Sequence, residues 1–281
     1  MRRRIRQAQR AAFSGFTVMV ALGRVRRRRP LPPTDGAAAL ADVMGELLAL
    51  HSVRTVVDGP VPPPGSVLVA NHLGYLDPLI VCAAAPSVPI SKASVSRWPV
   101  IGLAGDTMGV LFVDRRDAFS GAEVLRRGLR VLRGGARLLN FPEGTTTDGS
   151  HVLPFRRGVF GLARIAGAPV VPVTLRYESP SLCWTGDAAF LPHYLDTAAR
   201  PTTTAHVTFG QPMTISSSGN PADAAREARR QILAALNGGA PRVLHPRIAD
   251  SRPETGAILD PTERLRVPPP RPDSVLQASG R

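Results

Sequence analysis

Short apolar runs alternate with amphipathic stretches through most of the chain. The apolar runs predict strands of four to six residues at 53–57, 67–70, 88–91, 110–113, 137–140, 170–175 and 205–209. Stretches with apolar positions three to four residues apart predict helices at 37–52, 78–85, 99–108, 119–133, 158–166 and 221–236. Alternation of this kind predicts an α/β fold: one domain with a mixed, mostly parallel sheet flanked by helices.

The amino-acid composition fits one large domain with flanking segments. The chain has 281 residues, of which 43% are hydrophobic, enough to bury one sizeable core. Two cysteines are too few for a disulfide scaffold, which favours a reducing compartment. We predict the domain over residues 66–240, after a helix and proline-rich linker over 30–65. Residues 241–281 contain eight prolines and little apolar periodicity, which predicts a disordered tail.

The net charge of +14 is concentrated at the amino terminus. Residues 1–29 hold ten arginines and no acidic residue, whereas residues 30–240 carry only +2. So basic a chain predicts an anionic partner. The position of the arginines indicates that the amino-terminal segment, rather than the domain, meets that partner.

The amino-terminal segment fits a membrane surface better than the alternatives. Its uncharged stretch, residues 11–23, would form a helix roughly 20 Å long, too short to span a hydrocarbon core of about 30 Å. We expect this helix to lie on an anionic membrane at the cytoplasmic face, as a peripheral or monotopic protein. The apolar side chains expected among the acyl chains are Phe13, Phe16, Val18, Met19, Val20 and Leu22.

Three other interpretations of this segment stay open. A signal peptide would explain the arginines and the apolar run, but four more arginines follow where a cleavage site should be. A disordered arm is the second. A nucleic-acid arm is the third, but no aromatic residues interleave the arginines, so we expect no nucleic-acid partner.

The first candidate for chemistry follows the strand at 67–70. His72 lies at the strand's carboxyl end, where ligands bind in α/β sheets. Asp77 followed by Pro78 predicts a helix N-cap, and a turn at Gly74 could fold Asp77 back onto His72. A carboxylate on one imidazole nitrogen fixes the tautomer and makes the other nitrogen a general base. The alternative is that Asp77 only caps a helix and His72 is an ordinary loop histidine.

Three further strand ends carry weaker signals. Residues 109–116 form an apolar strand that ends in Arg115 and Arg116, and arginine binds phosphate through a fork of donors. Residues 138–149 form a strand that runs into a turn with an acid, glycines and threonines, whose donors suit an anion. Residues 168–174 form a strand broken by two prolines, which is more typical of a structural role. For the first two, a solvated strand end and a plain surface turn are the alternatives.

The order and spacing of these blocks resemble the glycerolipid (lysophospholipid) acyltransferase family. The blocks are N-H-x-x-x-x-D at 71–77, a glycine-to-arginine strand at 109–115, F-P-E-G-T at 141–145 and V-x-P-V at 170–173. The resemblance covers about residues 66–212. It implies an O-acyltransferase of phospholipid biosynthesis that moves a fatty acyl group from acyl-CoA or acyl carrier protein to the free hydroxyl of a lysolipid. The leading acceptor is 1-acyl-sn-glycerol-3-phosphate, which would give phosphatidic acid.

The resemblance also assigns roles to residues. His72 would be the base and Asp77 its orienting partner, without an acyl-enzyme, a bound cofactor or a metal. Glu143 is anionic, so we expect it to orient Arg115 or a backbone turn rather than to bind phosphate. The residues expected to bind the substrate are Asn71, Arg115, Glu143, Gly144, Thr145, Thr146 and Arg156.

One position departs from the family pattern. Members that act on lysophosphatidic acid usually read F-P-E-G-T-R, and here Thr146 stands at the arginine position. Arg156 or Arg157 could replace the missing ligand, or the acceptor could lack a phosphomonoester. The form F-P-E-G-T-T-x-D-G resembles the branch that contains lyso-ornithine lipid acyltransferases, which is the alternative acceptor class. A non-catalytic lipid-binding protein is a further alternative.

Overall fold

The computed structural model describes residues 2–26, 31–98, 101–114, 117–186 and 188–238 of the chain. Arg115 and the predicted tail at 241–281 therefore lie outside the described residues. The helices are α1 (Arg2–Arg26), α2 (Pro33–Leu50), α3 (Leu76–Ala84), α4 (Ala93–Ser96), α5 (Ile101–Met108), α6 (Ala118–Arg133), α7 (Gly158–Ala166), α8 (Phe190–Ala199) and α9 (Pro221–Asn237). The strands are β1 (Val53–Asp58), β2 (Val67–Ala70), β3 (Ser87–Lys92), β4 (Leu111–Val113), β5 (Arg137–Asn140), β6 (Val170–Tyr177) and β7 (Thr203–Phe209).

The seven strands form one sheet in the order β1-β7-β6-β2-β5-β3-β4. Neighbours pair in parallel except β6 and β7, so β1 and β7 run opposite to the other five strands. This confirms the predicted mixed, mostly parallel sheet. Because β2 to β6 all point the same way, the turns that follow them gather at one edge.

The central strands are apolar because both faces of the sheet are covered. In β2, Leu68 and Ala70 pack into the cluster that contains α3, whereas Val67 and Val69 pack against α6, α7 and α9. All four β2 residues are fully buried. This double burial explains why the strands read as continuous apolar runs instead of alternating ones.

Helix α1 extends well beyond the predicted stretch and forms part of the fold. Val18 and Leu22, expected among acyl chains, are buried, and Val18 packs into a cluster with α2 and α5. For these two side chains the sequence prediction is wrong. Phe13, Phe16 and Met19 point away from the protein and are more than half exposed. None of the described helices is both long and apolar enough to cross a membrane.

Two details at helix ends also differ from the prediction. Helix α3 begins at Leu76 with Tyr75 at the N-cap, so Asp77 lies inside the first turn and is not a cap. Helix α8 was not predicted, because Pro192 and His193 interrupt its short apolar pattern. It packs against α1 and closes one side of the region around His72.

Candidate active site

His72 and Asp77 form a hydrogen-bonded pair at the carboxyl end of β2. The distance from His72 Nδ1 to Asp77 Oδ2 is 2.7 Å. The Asp77 side chain is fully buried, whereas the His72 side chain is 23% exposed. The pair thus has a buried carboxylate behind a histidine ring that reaches an open space, the geometry that the turn at Gly74 predicted.

Asp77 is held by donors from two parts of the chain. Its Oδ2 also accepts hydrogen bonds from the backbone N–H groups of Leu73 at 2.6 Å and Gly74 at 2.9 Å. Its Oδ1 accepts a hydrogen bond from the hydroxyl of Tyr177, the last residue of β6. The local pattern of residues 71–77 explains the first two donors, but the contact with Tyr177 depends on strand order and could not be predicted.

The F-P-E-G-T-T turn clamps the backbone of His72. Glu143 Oε1 accepts from the N–H of His72 and Oε2 accepts from the N–H of Leu153, both at 2.8 Å. The N–H of Thr147 donates to the carbonyl oxygen of His72 at 2.8 Å. Glu143 therefore orients backbone, one of the two roles expected for it. Burial raises the pKa of Glu143 above its usual range, although the two backbone donors oppose that shift.

Phe141 and Gly144 shape the same turn. The ring of Phe141 stacks on the His72 ring with centroids 4.2 Å apart, which fixes the plane of the imidazole. Gly144 has a φ of +84°, a conformation that residues other than glycine rarely adopt. Among the described residues, His72 Nε2 has no hydrogen-bond partner, so it is the nitrogen free to take a proton.

Asn71, expected to bind the substrate, is engaged inside the fold. It is 1% exposed, and its amide donates to the carbonyl of Leu175 at 2.9 Å and accepts from the N–H of Leu175 at 2.7 Å. Both polar atoms of the side chain are thus used to fasten the end of β2 to β6. This geometry gives Asn71 a structural role instead of a substrate contact.

A largely apolar cavity of about 790 Å³ opens beside His72. Gly144, Thr145 and Thr146 line it close to the histidine. Its apolar walls come from α1, α2, α5 and the β4 region and include Val18, Leu40, Val43, Leu47, Met108 and Val110. The cavity is large enough for a drug-sized or lipid-sized ligand, and its lining suits a hydrocarbon chain.

Aromatic side chains gather around Phe190 of α8 at the cavity. The ring centroids of Trp98, Tyr75 and Trp184 lie 4.6, 5.1 and 5.9 Å from that of Phe190. All four residues line the cavity. No periodic pattern in the sequence predicts this cluster, because its members come from three separate segments.

Comparisons with known proteins place the chain in a family. Residues 53–176 match the family profile described as "Acyltransferase". The lyso-ornithine lipid O-acyltransferase of Pseudomonas aeruginosa is 32% identical over 70% of this chain and 78% of that protein. The chain belongs to the acyltransferase family.

Other relatives of the chain in this family have a different name. The 1-acyl-sn-glycerol-3-phosphate acyltransferase of Neisseria gonorrhoeae is 34% identical over 59% of this chain, and the match spans 64% of that relative's length. In the crystal structure of the 1-acyl-sn-glycerophosphate acyltransferase of Thermotoga maritima, all of that chain aligns with 85% of this one. The TM-score is 0.61 at 18% identity, which supports the predicted fold.

The acyltransferase fold does not gather all the expected headgroup ligands. Arg115 lies outside the described residues. Arg156 is exposed and is not among the residues that line the cavity, and its backbone N–H donates to Pro142. The lining of the cavity therefore does not support the prediction that the Arg156 side chain binds the substrate.

Lys92 is a cation at the cavity that the sequence reasoning did not select. It is the last residue of β3, pairs in register with Val113 of β4 and lines the same cavity as His72. It is the only lysine in the chain. The signal that could have identified it is its place at the carboxyl end of a strand in a chain that otherwise uses arginine.

Proposed function

We propose that this protein transfers a fatty acyl group from a thioester to the free hydroxyl of a single-chain lipid. The observation that carries the proposal is the buried Asp77 carboxylate bound to a His72 ring that opens into an apolar cavity. A base beside a hydrocarbon-lined space suits a reaction between a lipid hydroxyl and an acyl chain. The names of the relatives support the same reaction class.

In the proposed reaction His72 Nε2 takes the proton of the lipid hydroxyl. The hydroxyl oxygen attacks the thioester carbonyl carbon, a new C–O bond forms and the C–S bond breaks. The departing thiolate takes the proton back from the imidazolium, so the products are a two-chain lipid and a free thiol. Asp77 holds the histidine with Nδ1 protonated throughout. The thioester is acyl-CoA or an acylated acyl carrier protein.

We propose 1-acyl-sn-glycerol-3-phosphate as the acceptor, with lyso-ornithine lipid as the second candidate. The first is favoured by the names of the Neisseria and Thermotoga relatives and by Lys92 at the cavity. The second is favoured by Thr146, which lines the cavity at the position where an arginine usually stands, and by the Pseudomonas relative. Both acceptors present a free hydroxyl and one acyl chain.

The exposed face of α1 is the proposed membrane contact. Phe13, Phe16 and Met19 lie on the side of α1 opposite to Val18 and Leu22. Apolar side chains on the outside of an arginine-rich helix suit an anionic membrane surface. We propose that the protein sits on the cytoplasmic face through this helix.

Thiol release from the acyl donor tests the reaction class. In the presence of lysolipid we expect wild-type protein to release thiol and His72→Ala to lose at least about 10²-fold in turnover, the lower range for a general base. His206→Ala, a histidine change on β7 away from the cavity, is the matched control and should retain turnover. A wild-type protein that binds lysolipid without releasing thiol would instead be the non-catalytic lipid-binding protein.

An acceptor panel tests the headgroup. Wild type and Thr146→Arg are assayed with lysophosphatidic acid and with lyso-ornithine lipid. If Thr146 sets the headgroup preference, the arginine improves kcat/KM for the phosphate acceptor alone. Equal changes for both acceptors would mean that residue 146 does not read the headgroup.

A further inference from the structure

The hydroxyl of Tyr177 is buried against the carboxylate of the proposed catalytic pair. Tyr177 is 8% exposed and does not line the cavity, so it has no access to the substrate. Its hydroxyl donates to Asp77 Oδ1, while the other three donors to this carboxylate all bind Oδ2. Tyr177 is therefore the hydrogen-bond donor that the described residues supply to Oδ1.

The position of Tyr177 follows from the unequal lengths of two neighbouring strands. β2 ends its pairing with β6 at Ala70, opposite Val173, and β6 continues four residues further to Tyr177. The extension is held by antiparallel pairing of Tyr177 with Ala205 of β7 and by the Asn71 amide on Leu175. The phenol thus reaches Asp77 from a rigid strand instead of a loop.

The Tyr177 hydroxyl acts as a hydrogen-bond donor because it keeps its proton. Burial and, next, the charge of Asp77 raise the pKa of Tyr177 well above its ordinary value. The hydroxyl therefore stays neutral and donates at every physiological pH. Without it, Oδ1 would be a buried carboxylate oxygen with no donor, and the orientation of the carboxylate would depend on the donors to Oδ2 alone.

We propose that Tyr177 is a positioning residue, which locks the Asp77 carboxylate with Oδ2 on His72 Nδ1 and so keeps Nε2 as the free, basic nitrogen. The inference rests on the proposed function, because it assigns a purpose to the orientation of His72. Tyr177 acts through Asp77 and touches neither the donor nor the acceptor. It completes a buried set of hydrogen bonds that joins β6, α3 and the end of β2.

The kinetic test is Tyr177→Phe, which keeps the ring in its buried cluster and removes only the hydroxyl. We expect kcat to fall about tenfold, the lower range for loss of a hydrogen bond to a charged group, with KM for the lysolipid unchanged. In an Asp77→Asn background the same change should cause no further loss, since residues that act as one unit are not additive. Val207→Ala, a destabilising change in the same core cluster at a side chain that donates no hydrogen bond to Asp77, should leave kcat of the folded enzyme unchanged.

A second readout needs no turnover and separates this inference from the proposed function. In ¹⁵N-histidine-labelled wild-type protein, the His72 ring should be the Nδ1–H tautomer, and Tyr177→Phe should mix in the other tautomer. If Tyr177→Phe does not fold, 3-fluorotyrosine labelling of the wild-type chain makes the phenol a stronger donor and should move the His72 Nδ1 proton signal. A wild-type protein that fails to turn over would defeat only the proposed function.

Three results would overturn the positioning role. They are an unchanged kcat in Tyr177→Phe, an equal loss in the Asp77→Asn background, and a His72 spectrum that responds neither to the substitution nor to the fluorine label.

Discussion

At the scale of single residues, the orientation of His72 is set by groups far from it in the sequence. Glu143 and Thr147 hold the two sides of its backbone, and Phe141 stacks on its ring. The F-P-E-G-T-T turn therefore acts first as a support for the histidine. It presents Phe141, Gly144, Thr145 and Thr146 to the cavity.

The hydrogen bonds from the backbone of His72 and Leu153 to Glu143 predict that Glu143→Gln is less stable and less active than wild type. An amide can accept one of the two N–H groups that the carboxylate binds, but its NH₂ faces the other, so His72 or Leu153 loses its acceptor. We expect the free energy of unfolding to fall by about 1.5–3 kcal/mol, the range for hydrogen bonds to charged groups, and turnover to fall with it. Thermal melting and thiol release measure the two effects. Glu178→Gln, at an exposed position, is the control, and equal behaviour of the two variants would contradict the clamp.

Some of these contacts could be predicted and others could not. The contact between His72 and Asp77 is local, so a separation of five positions with a glycine at position 74 was enough to predict it. The contacts of Asp77 with Tyr177 and of Asn71 with Leu175 span about a hundred residues. They depend on which strands are neighbours, and the apolar pattern of a buried strand does not encode its neighbour.

At the scale of helices, Arg10 fastens α1 to the domain. It is 7% exposed, and its guanidinium donates to the carbonyl oxygens of Ala198 and Arg200 and to the hydroxyl of Ser52. Among the described arginines of the amino-terminal segment this one is buried. The expectation that the arginines meet lipid headgroups does not hold for Arg10.

Removing this fastening should loosen α1. Arg10→Met keeps the apolar stem but removes the donor to one buried and two partly buried acceptors, and we expect the free energy of unfolding to fall by at least about 1.5 kcal/mol. Hydrogen exchange should quicken in α1 and α8 while β2 and β5 remain protected. Arg4→Met, an exposed change on the same helix, should leave exchange as in wild type. Exchange rates in Arg10→Met that match those of Arg4→Met would show that the guanidinium does not hold α1.

His51 makes the junction between α1, α8 and the end of α2 sensitive to acid. Its Nδ1 donates to Leu47 at 2.9 Å and its Nε2 lies 3.2 Å from the hydroxyl of Tyr194, which is 3.1 Å from Ser14 of α1. Burial, with a smaller contribution from Arg10, lowers the pKa of His51 below its ordinary value of 6.5. The unfolded chain then binds a proton more readily than the folded one, so this stability is present above pH 6.5 and is lost as the pH falls below it.

The corresponding measurement is unfolding free energy against pH. We expect wild-type stability to decline below pH 6.5 more steeply than that of His51→Gln, which cannot titrate. Parallel curves for the two proteins would show that His51 does not control the junction.

At the scale of the whole molecule, α1 has two apolar faces with different tasks. Val18, Ala21 and Val25 complete a buried cluster with α2 and α5, and Val18 also lines the cavity. Phe13 and Phe16 face outward. Deleting α1 would thus remove part of the cavity lining as well as the outer face. Point substitutions on the outer face therefore test membrane binding better than a deletion does.

Vesicle binding should depend on the outer face alone. Phe13→Ser with Phe16→Ser should weaken binding to anionic phospholipid vesicles by at least about tenfold per residue, because burying a phenylalanine contributes about 1.5–3 kcal/mol. Sedimentation with vesicles measures the binding, and melting should be unchanged. Ile165→Ser, an equally exposed apolar side chain on α7, should bind like wild type. Undiminished binding of the double variant would remove α1 as the membrane contact.

The fold as a whole was largely readable from the chain. All seven described strands overlap predicted ones, and the continuous apolar runs of β2 and β6 follow from burial on both faces of the sheet. The reversal of β1 and β7 was not readable, because a buried strand has the same pattern in either direction. Helix α8 was missed because Pro192 and His193 interrupt its short apolar pattern.

Tyr177 lies on the part of β6 that extends beyond β2, so the hydrogen bonds that hold His72 and Asp77 become available at different stages of protein synthesis. His72 and Asp77 leave the ribosome in the first third of the chain, but the Glu143 support and the Tyr177 hydroxyl come later. A nascent chain that stops short of residue 177 carries the histidine and its aspartate without the Tyr177 hydroxyl, and one that stops short of residue 143 lacks the Glu143 support as well. The proposed base therefore becomes competent only after more than half of the polypeptide has been synthesised. An incomplete chain that reaches a lipid surface has no competent base.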